Sequence, residues 1–144
     1  ISPEGDVYQA GTLSGNPVAM AAGIAQLSAC LKDGFYNTLA AKTQELIKLI
    51  QEKTKELNLT FTIHSIGSIF WLAFSEEPHI RSAAAIDANS MEHFKVLHKE
   101  LLERGVYLGP SGYEVGFVSE AHTKEDLEQT AEMFAQALAI VAAA

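Results

Sequence analysis

The stretch Thr60-Phe61-Thr62-Ile63-His64-Ser65-Ile66-Gly67-Ser68-Ile69-Phe70-Trp71-Leu72-Ala73-Phe74 decides the fold. Its two runs, 60–64 and 68–74, are β-branched and aromatic, and Gly67 lies between them, so the reading is a β-hairpin. Outside the hairpin the period changes to that of helices. Upstream, Asp33 caps a helix over 34–57 in which Leu39, Leu46, Ile47, Ile50 and Leu57 recur at three- and four-residue spacing, with Lys and Glu between. Further upstream, Asn16-Pro17 is a strong helix start: Asn caps free N–H groups, and Pro at the first helical position loses no bond. The residues from Val18 to Leu31 are small and apolar nearly all round, which predicts a helix packed between other layers.

Downstream, residues 75–89 show no period and contain Pro78, as a loop does. Ser90 is placed to cap a helix through Phe94, Leu97, Leu101 and Leu102 that stops at Arg104-Gly105. Val106-Tyr107-Leu108 reads as a short strand, Gly109-Pro110-Ser111-Gly112 as a turn, and Tyr113 to Ser119 as a second extended piece. Thr123, with Asp126 three residues on, opens a final helix running into the Ala-rich end. This order predicts an α+β fold, a small and mostly antiparallel sheet covered on one face by helices and preceded by a long apolar helix. One domain over 1–144 is expected, with 1–31 as a loop and linking helix and 32–144 as the small sheet domain.

The 144 residues suffice for a core, and 48% hydrophobic against 19% charged residues is a globular composition. A net charge of −8 argues against nucleic acid, which calls for clustered Lys and Arg. No apolar run reaches the length of a membrane span. Cys30 is alone, so a buried structural thiol in a reducing cytoplasm is the expectation. The chain opens on Ile1 within a turn-like run, which suggests a piece of a longer protein.

Two loops have compositions that packing does not explain. Gln9-Ala10-Gly11-Thr12-Leu13-Ser14-Gly15-Asn16-Pro17 brings glycines, hydroxyls and an amide to a helix N-terminus, where N–H groups and the dipole favour an anion such as phosphate. The alternative is a turn and a cap. In the second loop Glu114 stands between Tyr113 and Val115, either on the solvent face of an edge strand or as a desolvated acid facing a site. The histidines lack metal-ligand spacing, and His64 and His122 read as structural. No serine or threonine has a base beside it.

At these loops the sequence resembles a known family. Val7 to Pro17, continuing through Ala19-Met20-Ala21-Ala22-Gly23, is similar to a segment of glutamate-1-semialdehyde aminomutases, within the class III pyridoxal-phosphate aminotransferases. Gly105-Val106-Tyr107-Leu108, Pro110-Ser111, Tyr113-Glu114, Gly116-Phe117, Ser119 and Ala121-His122 resemble the C-terminal signature of the same enzymes, with Gly109 standing where Ala or Pro is common and Tyr113 where Phe is common. The resemblance implies the C-terminal domain of a fold-type I enzyme, a cytoplasmic homodimer that uses pyridoxal or pyridoxamine phosphate. That enzyme converts glutamate-1-semialdehyde to 5-aminolevulinate for tetrapyrrole synthesis. It also implies that Gly11 and Thr12 contact the cofactor phosphate of the opposite subunit, and that Glu114 is an acid near the substrate. The family's cofactor-anchoring lysine belongs to a Gly-Lys turn upstream of the matched region. None of Lys32, Lys42, Lys48, Lys53, Lys55, Lys95, Lys99 and Lys124 has a glycine-flanked, buried setting, so the piece is expected to be inactive alone. An ω-amino acid aminotransferase and a non-catalytic interaction module are the alternatives.

Overall fold

The computed structural model describes residues 1–8 and 10–143; Gln9 of the first loop lies outside them. The chain divides into two compact units, Ile1–Phe35 and Tyr36–Ala144.

The first unit is a run of turns followed by helix α1, Pro17–Cys30. Asn16 caps it as its sequence predicts, accepting at Oδ1 from the N–H groups of Val18 (3.0 Å) and Ala19 (3.1 Å). The expected burial of this helix is not met. None of its residues is buried, and Val18 and Leu27 are 77% and 65% exposed. The apolar residues are spread around the axis rather than gathered on one face, so no single neighbouring layer can cover them. Cys30 is likewise only half-buried, with Gln26 Nε2 3.8 Å from its sulfur.

The second unit holds the core. Helix α2, Phe35–Thr54, buries Leu39, Thr43, Leu46, Ile47, Ile50 and Thr54 on one face. Its two buried hydroxyls bond back to the preceding turn, Thr43 to Leu39 O and Thr54 to Ile50 O, so neither is left unpaired. The hairpin forms as β1, Thr62–Ile66, antiparallel to β2, Ile69–Ala73. Gly67 takes φ +56° at the tight turn, a value that suits glycine. A third strand, β3, spans Gly116–Phe117 and pairs with Ile69 and Phe70, giving the order β1-β2-β3. Helix α3 runs Ser90–Glu103 and helix α4 Lys124–Ala143. Phe70, Leu72 and Phe74 point from the sheet into a core completed by Leu46 and Ile50 of α2, Leu97 and Leu101 of α3, and Phe134 and Leu138 of α4. The α+β architecture is therefore as expected.

Three local expectations fail, each because an amide or hydroxyl finds another partner. Val106–Leu108 is not a strand: Gly105, at φ +85°, closes α3 and sends Val106 N–H to Leu101 O and its own N–H to Leu102 O. The extended piece 113–119 shrinks to Gly116–Phe117, because Tyr113 N–H goes to Ser111 Oγ and Glu114 N–H to Ser111 O. Ser90 does not cap α3. Asn89 occupies that position without a side-chain bond, while Ser90 Oγ accepts from Phe74 N–H at 3.2 Å, tying the helix start to the end of the hairpin. Residues 75–89 are the expected loop apart from one 3₁₀ turn, Ala83–Ala85.

Candidate functional site

The first candidate loop is two overlapping turns. Ser14 N–H donates to Gly11 O (3.0 Å) and Asn16 N–H to Leu13 O (3.1 Å). The Ser14 hydroxyl oxygen folds back onto Gly11, where a Cβ would meet it. Gly11 and Thr12 are both exposed. The amides of the helix start are already engaged: Pro17 has none, Val18 and Ala19 donate to the Asn16 side chain, and Met20 donates to Asn16 O. The expectation that the helix N-terminus itself would present free N–H groups to an anion is corrected accordingly. What faces solvent is the turn at Gly11 and the Thr12 hydroxyl, within a stretch from Val7 to Leu31 that carries no charged side chain.

The second loop is anchored at long range. Trp71 Nε1–H donates to Gly112 O at 2.7 Å, and a Cβ on Gly112 would lie 2.7 Å from Met91 Cε and 3.0 Å from Phe94 Cγ. His98 Nε2 lies 3.2 Å from Leu108 O, and Gly116 packs so closely on Phe70 that a Cβ would enter the ring. Sequence reading missed these anchors; the lone tryptophan facing a Gly-Pro-Ser-Gly turn was the available signal. Around the loop lies an open pocket of about 510 Å³ with Tyr107, Gly109, Tyr113, Glu114 and Phe117 in its walls. Glu114 is exposed and sits in the turn before β3 rather than on a strand. The edge strand on which one sequence reading placed it does not reach Glu114.

Gly11 and Thr12 belong to the first unit and Glu114 to the second. A further open pocket, about 670 Å³, lies between the end of β2 and the start of α3, with Thr60, Glu76, Asp87, Ser90 and His93 in its walls. Its buried hydroxyl, Ser90, is already bonded to Phe74 N–H.

The lysines are surface cations, as their sequence settings suggest. Lys42 reaches Glu120 (3.3 Å), Lys53 Glu132 (2.8 Å) and Lys95 Glu92 (2.6 Å), while Lys48, Lys99 and Lys124 face carboxylates one turn further along their own helices. Lys32 and Lys55 are exposed. An ammonium engaged by a surface carboxylate is not positioned as an imine-forming amine. The histidines have structural partners: His64 stacks on Trp71 with centroids 5.5 Å apart, His93 lies against Phe74, and His122 Nδ1 accepts from Ser119 N–H. Among the described residues no group of His, Cys, Asp and Glu could hold a metal ion, and no helix is long and apolar enough to cross a membrane.

Solved structures share the fold of this chain. An omega-transaminase from Sphaerobacter thermophilus superposes with a TM-score of 0.75 at 23% identity, over 100% of this chain and 33% of its own. A glutamate-1-semialdehyde-aminomutase from Pseudomonas aeruginosa PAO1 gives 0.71 at 22%, over 98% of this chain and 32% of its own. A transaminase with PLP bound gives 0.71 at 25%, over 99% and 32%. The chain thus spans about a third of the length of these relatives. The family model for aminotransferase class-III matches residues 1–138, and the chain belongs to the class III aminotransferases.

Proposed function

We propose that this chain is the C-terminal part of a glutamate-1-semialdehyde 2,1-aminomutase, a pyridoxal-phosphate enzyme that forms 5-aminolevulinate, and that it is inactive without the part bearing the anchoring lysine. The observation that carries this reading is Glu114 in the wall of the 510 Å³ pocket, in the loop whose residues resemble the aminomutase signature. A carboxylate there can accept a hydrogen bond from a substrate ammonium group and hold it in one orientation.

The donor set of the first loop fits a phosphate. Gly11 and Thr12 would hold it through backbone N–H and the hydroxyl, within a sequence stretch, Val7 to Leu31, that carries no charged side chain. Bound pyridoxal phosphate supplies the electron sink for amine transfer. The chain's own share is to grip that phosphate, by resemblance across a homodimer, and to orient substrate through Glu114. No lysine here is placed to anchor the group, which supports inactivity of the piece alone.

A second reading, an omega-transaminase, is favoured by the likeness to the Sphaerobacter thermophilus enzyme. Assay of the full-length protein separates the two. Formation of 5-aminolevulinate from glutamate-1-semialdehyde without an external amino acceptor supports the aminomutase. Amine transfer from ω-amino acids to an external acceptor, with no 5-aminolevulinate formed, overturns it. The 144-residue chain mixed with pyridoxal phosphate is expected to show no imine absorbance.

A further inference from the structure

Two segments line the 510 Å³ pocket, 107–109 and 113–117. The second is held firmly where it begins. Gly112 is buried, its carbonyl accepts from Trp71 Nε1–H at 2.7 Å, and Met91 and Phe94 fill the space a side chain there would need. The first segment has fewer ties. Val106 N–H reaches back to Leu101 O, but Tyr107 is exposed and Pro110 has no N–H to give. Among the described residues, one hydrogen bond reaches the backbone of residues 107–110, from His98 Nε2 to Leu108 O at 3.2 Å. A carbonyl oxygen only accepts, so the ring nitrogen donates and His98 carries a proton on Nε2. The donor is half-buried on α3, the helix that sends Phe94, Leu97 and Leu101 into the core, and its ring lies 6.0 Å from that of Phe94.

We propose that His98 is a positioning residue for this pocket: through Leu108 O it holds the 107–109 wall in place relative to the wall that carries Glu114. His98 stands outside the pocket lining, so it acts through Leu108 rather than on the substrate. Two ring N–H donors, one from α3 and one from β2, thereby clamp residues 109–111 at both ends. With the α3 donor removed, Leu108 O turns to water and the first wall is free to drift, which alters the space beside the carboxylate. The proposal rests on the reading of this pocket as the substrate site, with Glu114 as its acid.

The test uses the full-length enzyme with His98→Leu, His98→Gln and Glu114→Ala, assayed with glutamate-1-semialdehyde. Both His98 variants are expected to fold, because α3 is held by its buried apolar residues. His98→Leu fills the space without a donor and is expected to lower kcat/KM about tenfold, the scale of a site displaced by an ångström or less. His98→Gln, whose amide N–H reaches the place of Nε2, is expected to restore activity close to that of the parent. Crystal structures should show residues 107–110 shifted in His98→Leu and unmoved in His98→Gln. Full activity in His98→Leu, or an equal loss in both His98 variants, overturns the proposal while leaving an impaired Glu114→Ala to support the acid. Full activity in Glu114→Ala overturns the reading of the acid instead, and loss with rescue at His98 then still supports the clamp.

Discussion

In the loop before α1 the hydrogen bonds run between neighbours: Ser14 to Gly11, Asn16 to Leu13, and the first helical amides to Asn16. The turn before β3 is held instead from far along the chain, by Trp71 on Gly112, His98 near Leu108, Met91 and Phe94 against Gly112, and Phe70 against Gly116. The units around them differ in the same way. Helix α1 buries none of its residues, whereas α2, α3, α4 and β2 close around Phe134, Ile50, Leu97 and Leu138. A loop held locally keeps its shape from its own sequence but gains no rigidity from a core. A loop held by the core takes its shape from residues distant in sequence.

The contrast is tested most severely by truncation. Phe134 is fully buried and lies 6.4 Å, ring to ring, from Phe70. Phe134→Ala is expected to cost about 3–5 kcal/mol in urea unfolding of the chain. Ile24→Ala in α1, at a residue 64% exposed, should stay within about 0.5 kcal/mol. Comparable losses at the two positions would remove the distinction between the units.

A smaller effect is expected at Gly116. Its absent Cβ would stand in the Phe70 ring, so Gly116→Ala should destabilise by about 1–3 kcal/mol through overpacking. The same change should disturb Glu114 in the full-length enzyme, because β3 and the turn before it would shift together. Unchanged stability would show that the anchoring by Phe70 is loose.

These anchors also mark the limit of what could be read beforehand. The helices were legible from their period, the Thr123–Asp126 capping box from its spacing, and the hairpin from its residue types, since all three depend on nearby residues. The lengths of the later strands were not legible. Val106, Tyr113 and Glu114 have strand-like neighbours, yet their N–H groups are claimed by Leu101 and Ser111. A hydrophobic pattern does not record such competition for a donor. Ser90 fails for the converse reason, its hydroxyl being taken by Phe74, distant in sequence. Within the candidate site, residues 11, 12 and 114 stood out by composition, but the closeness of Glu114 to Gly109 appears only when the turn folds one over the other.

On the locally held side, Asn16→Ala removes the acceptor for two α1 amides and is expected to cost that helix about 1 kcal/mol. Faster amide exchange at Val18 and Ala19, with exchange in α4 unchanged, is the signature. A matching change in α4 would mean that the two regions unfold as one.

The smallest effect concerns acid. In the capping box at the start of α4, Asp126 is held below its ordinary value first by the Thr123 N–H, then by the Thr123 hydroxyl, with a lesser contribution from the charge of His122. Glu132, further along α4, is lowered first by its bond from Lys53, then by Gln136. A carboxylate whose pKa is lower folded than unfolded adds stability above the unfolded value, and loses it as pH falls through the folded one. Both groups are solvent-exposed, so the contribution of each is small and screened by salt. The stability of the chain is therefore expected to decline gently below about pH 4, with Asp126→Asn flattening that part of the profile. The decline should register in exchange of the α4 amides and leave α1, which has no acid in its first turn and no basic residue in its last, unchanged. An equal acid response in α1 would contradict the assignment of this titration to the core-held unit.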